Sequence, residues 1–176
     1  MAVRTGKGDK GYTELSFRKR ISKDSADIRA IGDLDELNGC LGLAKVRVKS
    51  KQDKAILEKI QQFVSMIASE IVIGTEKKKK MGHLLRKDDS EWLKNTVYRL
   101  EQEVEIENRF YVPGDNEVSA FLDITRAVAR RAESSVVGLF NNDAIKNTQA
   151  LVCMNCISDV LFILARKHGK KKRKRK

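Results

Sequence analysis

The sequence predicts an all-α protein, a five-helix up-down bundle. Three observations point there. First, the chain of 176 residues has one proline, Pro113, and only 6% aromatic residues, too few turn and strand formers for a sheet protein. Second, apolar residues recur every three or four positions over long stretches, which places them on one helix face. Third, the breaks between those stretches are short, and short connections between helices favour antiparallel neighbours. The length suits a single domain, residues 1–168, followed by a basic tail, residues 169–176.

The first helix is expected from Ser25 or Asp27 to residue 48, with Ile28, Ile31, Leu34, Leu37 and Leu41 facing the core. A second covers residues 52–74, with Ile56, Ile60, Phe63, Ile67 and Ile71 as its stripe. A loop of lysines over residues 75–89 leads to a third, residues 89–107, whose stripe is Trp92, Val97, Leu100 and Val104. Pro113-Gly114 forces a turn. The fourth helix covers residues 116–140, and the fifth 143–167.

Net charge is +12, and eight of the basic residues sit in residues 167–176, leaving +4 for the rest. The tail reads as a disordered, solubilising end that could attract nucleic acid. No aromatic interleaves its basics, and no helix-turn-helix or zinc-finger spacing is present. Three cysteines without a signal core argue for reduced thiols, and Cys153-x-x-Cys156 lies inside an apolar helix, where small core residues are the default. His83 and His168 have no ligand spacing. No apolar run was long enough to suggest a bilayer span, and the polar start lacks a signal core, so a soluble cytoplasmic protein is expected.

Two stretches carry chemistry. Residues 3–13 hold three glycines within six positions, flanked by Lys and Thr. Such backbone approaches a phosphate closely and offers N–H groups, hydroxyls and a lysine. The Walker spacing is absent. Arg18, Lys19, Arg20 and Lys23 extend the positive field. In the fourth helix, Arg126, Arg130 and Glu133 fall on one line at i, i+4 and i+7. Two guanidiniums on a rigid stripe can clamp an anion, and Glu133 can hold a guanidinium or a metal-bound water. The alternative is a solvated face with i,i+3 pairs, Asp123 to Arg126 and Arg130 to Glu133. Asp35 and Asn38 share a face beside the first helix's apolar stripe, so Asp35 either meets an arginine or faces solvent. Asn155, Asp159, Phe162 and Arg166 line one face of the fifth helix.

The ordered pieces resemble the PduO-type ATP:cob(I)alamin adenosyltransferases (corrinoid adenosyltransferases). They are Thr5-x-x-Gly8-Asp9-Lys10-Gly11-Tyr12-Thr13, Arg20-Ile21-Ser22-Lys23-Asp24, Asp35-Glu36-Leu37-Asn38, Phe110-Tyr111-Val112-Pro113-Gly114, Arg126-x-x-x-Arg130-Arg131-Ala132-Glu133 and Asn155-x-x-Ser158-Asp159-x-Leu161-Phe162-x-x-Ala165-Arg166. The resemblance implies a cobalamin adenosyltransferase-like bundle assembled as a homotrimer, with active sites between subunits. It implies that ATP is held by Thr5, Gly6, Lys7, Gly8, Asp9, Thr13 and Lys23 of one subunit. Arg126, Arg130, Arg131, Glu133 and Asn155 of its neighbour would complete the site. Mg2+ would bridge the phosphates with Glu133 nearby, and Asp35 would pair with Arg126 across the interface. Phe110 would lie against the corrin of cobalamin, and a reductase partner would deliver the electron. The chain departs from the family pattern at Asp123 (usually His), at Cys156 (usually Arg), at Cys153-Met154 (usually Tyr-Leu) and after Leu15, where a glycine is usual. Two other readings use the same residues: a non-catalytic ATP or adenosylcobalamin binder acting as sensor or chaperone, and a nucleic-acid-binding module using the tail.

Overall fold

The computed structural model describes residue 6 and residues 8–15, 20–74 and 84–169. The expectations for Thr5, Lys7, Arg18, Lys19, residues 77–80, His83 and the basic tail beyond Gly169 fall outside them. Five helices follow a short hairpin: α1 Ala26–Arg47, α2 Lys51–Ile73, α3 Lys87–Glu103, α4 Glu117–Asn141 and α5 Thr148–His168. In the hairpin, β1 Tyr12–Glu14 pairs antiparallel with β2 Arg20–Ser22, Thr13 opposite Ile21. The sequence reading treated this segment as loop and basic surface. Three-residue strands are too short to show an alternating pattern.

Side chains set most helix starts. Ser25 accepts a hydrogen bond from the Ile28 amide and Ser50 one from the Asp53 amide at 3.2 Å. Asn116 caps α4 by accepting from the Ser119 amide at 3.0 Å, while the Ser119 hydroxyl accepts from the Asn116 amide. Two ends differ from expectation. Helix α3 stops at Glu103 instead of residue 107, because Glu101, Glu103, Glu105 and Glu107 crowd a C-terminus with no base in its last turn, and the helix dipole disfavours acids there. Helix α5 starts at Thr148 instead of residue 143. Asp143 takes a left-handed φ of 58°, which breaks the backbone, and Asn147 becomes the cap.

Helix α4 is the centre of the bundle, packed on α1 on one side and α5 on the other; α2 flanks α1 and α3 flanks α5. Leu34, Leu37 and Leu41 of α1, Ile60, Phe63 and Ile67 of α2, and Leu122, Ala129, Ala132 and Val136 of α4 are buried in one core. The α3 stripe is rotated from the expected one: Leu93, Thr96 and Leu100 are buried, whereas Trp92, Val97 and Val104 lie at its edge. Two buried carboxylates pin α2 to α5. Glu70 accepts from the Leu85 amide and from Asn147 Nδ2, at 3.1 and 2.7 Å. At the opposite end Asp53, fully buried, takes Lys167 Nζ and His168 Nε2, each at 2.9 Å. Residues 148–168 reach the length and mean hydropathy, 1.7, of a bilayer-crossing helix, which the sequence reading did not expect; most of that apolar surface is buried in the bundle.

Candidate functional site

The glycine-rich loop curls over a cavity of about 560 Å³ lined by Gly6, Gly8, Lys10, Tyr12, Thr13, Glu14, Arg20 and Lys23. Gly6 and Gly11 have positive φ, 69° and 77°, which lets the backbone fold back on itself there. The Lys23 amide donates to the Gly11 carbonyl at 2.9 Å, tying the hairpin's exit to the loop. Lys23 Nζ would lie 2.9 Å from a Cβ at Gly8, so the lysine passes directly over that glycine. The Arg20 guanidinium lies 5.4 Å from the Tyr12 ring centroid. Three cations and a glycine backbone around one cavity suit a polyphosphate. Asp9 approaches Gly6 but does not line the cavity. None of Arg126, Arg130, Glu133 and Asn155 lines it.

Those four residues lie on α4 and α5. Arg130 and Asn155 are exposed, and Arg126 and Glu133 are half-buried. Arg126 Nε is 4.0 Å from Asp123 Oδ1, one turn back, the pair the alternative reading named, but Asp123 is buried and so not on a solvated face; no Arg130–Glu133 pair forms. Partial burial, with the Glu101 charge behind it, pushes the Asp159 carboxyl up, and the nearby Arg130 charge offsets only part of this. Asp35 is exposed on α1, and within the chain Arg126 pairs with Asp123 instead of Asp35.

Arg131 points elsewhere. Its guanidinium is held by Glu36 and, at 3.3 Å, by Asp33, while Ser135 Oγ donates to Asp33. The Glu36 hydrogen bond first, with Asp33 behind it, raises the Arg131 pKa. The i,i+3 spacing of Asp33 and Glu36 was the available signal for this clasp, and sequence reasoning passed over it.

At the other end of α4, Gly114 has a φ of 100° and turns the chain into the helix. Just before it, Phe110 is 86% exposed and Val112 also faces solvent. Tyr111 packs edge-on against Phe162, centroids 5.7 Å apart. The Arg166 guanidinium lies over both rings, 4.9 Å from Tyr111 and 5.3 Å from Phe162. Arg166 also forms a buried ion pair with Asp123. Asp123 is therefore occupied, with a defined partner. Cys156 is buried, and Cys153, buried beside it, has its thiol pushed up to about 12 by burial, so the pair sits in the core as inert packing.

Fold and site together define a helical-bundle protein with a cation-lined, glycine-rich loop cavity and, on another segment, an exposed aromatic residue. Residues 3–168 match the cobalamin adenosyltransferase family, and the chain belongs to it. It is 31% identical to the corrinoid adenosyltransferase PduO of Salmonella typhimurium over 94% of this chain and 49% of that protein. It is 34% identical to a cobalamin adenosyltransferase of Cupriavidus metallidurans, over 93% and 86% respectively. The chain thus spans about half the length of the PduO relatives. Among solved structures it is similar to a variant PduO-type ATP:corrinoid adenosyltransferase from Lactobacillus reuteri complexed with cobalamin and ATP. The TM-score is 0.84 at 26% identity, covering 94% of this chain and 92% of that one.

Proposed function

We propose that the chain transfers the 5′-deoxyadenosyl group of ATP to the cobalt of cob(I)alamin, releasing triphosphate and forming adenosylcobalamin. The observation that carries this reading is that three motif residues on separate segments face solvent: Arg130 and Asn155, on helices that bury much of their length, and Phe110, in the exposed segment before α4. Cob(I)alamin brings its own electron pair. The cobalt–carbon bond forms as the bond from the 5′ carbon to oxygen breaks, and the electrons leave on triphosphate. The protein has no proton to move; it holds two reactants in line and stabilises charge growing on the leaving group.

The loop cavity, with Gly6, Gly8, Thr13 and Lys23, and with Thr5, Lys7 and Asp9 of the same motif, takes the triphosphate. No described α4 or α5 residue lines that cavity, which supports a reading in which Arg126, Arg130, Glu133 and Asn155 come from a second subunit, in a homotrimer with sites between chains. Asp35 then meets Arg126 across that interface. Arg131, already engaged by Asp33 and Glu36, serves by fixing α1 against α4 beside the site. Among the described residues no three His, Cys, Asp or Glu side chains converge as a metal nest. That suits Mg2+, which binds through substrate phosphates with few protein ligands; Glu133 would hold its water, and the ion would neutralise phosphate charge. Phe110 offers an apolar surface to the corrin. A reductase must supply the electron, and three free thiols fit a cytoplasmic setting.

The test is anaerobic turnover with ATP, Mg2+ and chemically reduced cobalamin, followed by absorbance. Wild type turns over, and Arg130→Ala loses about 10²–10³-fold in kcat, as for removal of one preorganised donor to a developing anion. ATP binding without turnover by the wild type would replace this reading with the sensor or chaperone one.

A further inference from the structure

We infer that Asp123 is a positioning residue that couples the nucleotide side of the site to its corrinoid side; the inference rests on the adenosyl-transfer reading. Its side chain is 4% exposed and lies between two guanidiniums. Oδ2 accepts from Arg166 Nη2, and Oδ1 is 4.0 Å from Arg126 Nε. Arg126 belongs to the α4 face that serves the nucleotide. Arg166 lies over Tyr111 and Phe162, and Tyr111 adjoins Phe110, so it belongs to the aromatic side. One carboxylate thus touches both halves.

The dependence is specific. Arg126 Nε and Arg166 Nε are both buried without a hydrogen-bond partner, and among the described residues Asp123 is the acid that pairs with either arginine. Within one chain, then, this carboxylate is the anion that both guanidiniums approach: Arg166 by a hydrogen bond, beside its two aromatic rings, and Arg126 by a 4.0 Å charge contact. Within one chain two cations around one anion leave a positive excess at Arg126, which Asp35 of a second subunit and an anionic ligand can answer. Without the carboxylate the two guanidiniums repel each other in a poorly solvated place, and both shift. A shift at Arg166 moves the Tyr111 ring it covers, and with it the segment carrying Phe110.

The experiment titrates ATP and cob(II)alamin, separately and together, into wild type, Asp123→Asn and Arg166→Lys. Asp123→Asn weakens each ligand about tenfold, the scale of one charge-assisted hydrogen bond, and abolishes any mutual enhancement of binding. Arg166→Lys, which keeps the charge and loses the planar stack, weakens cob(II)alamin and spares ATP. A ligand-free readout runs beside these: the side-chain Nε–H NMR signals of Arg126 and Arg166 move together in Asp123→Asn. Should that variant not fold, Asp123→Glu, which keeps the charge on a longer arm, displaces both signals. A variant that melts earlier yet binds both ligands within about twofold of wild type would show a purely structural role and overturn the coupling. So would loss of ATP affinity alone, or an Arg126 signal that stays in place. Wild type that binds neither ligand refutes the adenosyl-transfer reading instead, and the NMR signals still decide the inference.

Discussion

A phenylalanine ring left in water contributes nothing to the core, so its removal separates function from folding. Phe110 is 86% exposed, beside the exposed Val112 and a tightly turned Gly114. Phe110→Ala is expected to leave the melting temperature within about 1 °C of wild type, since a surface substitution away from caps and cavities costs little. Turnover with cob(I)alamin should fall at least about tenfold, with ATP affinity unchanged. A calorimetric scan and the anaerobic assay check this together. If turnover survives intact, the ring serves a protein contact and not the corrin. Phe162 is the contrast at the same end: it is partly buried against Tyr111, so shortening it would confound packing with catalysis. The residue scale is also where the sequence was least legible. Arg126, Arg130 and Glu133 could be aligned by helical period alone. The contact of Asp123 with Arg126 was legible the same way, whereas its Arg166 partner and the clasp of Arg131 by Asp33 and Glu36 are made by packing between helices and not by any local period.

At the scale of elements, the clasp between the start of α2 and the end of α5 makes a measurable claim. Burial pushes the Asp53 carboxyl up, but hydrogen bonds from His168 and Lys167, with their charges, outweigh burial and hold it below its ordinary 3.8. An acid with a depressed folded pKa contributes stability that is present above the unfolded value and lost as pH falls through the folded one. The bundle should therefore lose stability below about pH 3.8, and Asp53→Asn should lose less on acidification there. At neutral pH that variant should be destabilised by about 2 kcal/mol, because the buried position loses its charged acceptor for Lys167 and His168, although Lys167 keeps Glu103 at 2.7 Å. Urea unfolding at pH 7 and at pH 3 measures both numbers. The helices themselves were legible because each buries one stripe, and stripes repeat at a helical period. Their ends were less so: the acids that stop α3 and the left-handed Asp143 that delays α5 are local backbone effects that periodicity does not register.

For the whole molecule, three of the exposed apolar residues fall on one helix pair. Leu43 and Val46 of α1 and Ile124 of α4 face solvent, with Val46 at 73% and Ile124 at 57%. Helices α1 and α4 pack on each other here: Thr125 Oγ1 donates to the Cys40 carbonyl at 3.3 Å, and Arg47 pairs with Glu117 at 3.4 Å. Leu43, Val46 and Ile124 therefore border one helix pair, and Gly39 meets no atom within 4 Å of its Cβ position, leaving room for another chain to approach. An exposed apolar group on one helix pair is what a subunit that covers this face with another copy of itself would present. Light scattering after gel filtration should give three times the 19.9 kDa chain mass for wild type. Ile124→Glu places a charge in that seam without touching the core, so it should yield folded monomer with full helical content and no turnover. An equimolar mixture of Arg130→Ala with a variant lacking the loop cation, Lys23→Ala, then decides whether sites are shared. If loop and arginines come from different chains, mixed trimers contain some sites with both groups intact and recover part of the activity that each variant lacks alone. A wild-type monomer with full turnover would instead require the loop cavity and the α4 arginines to meet within one chain.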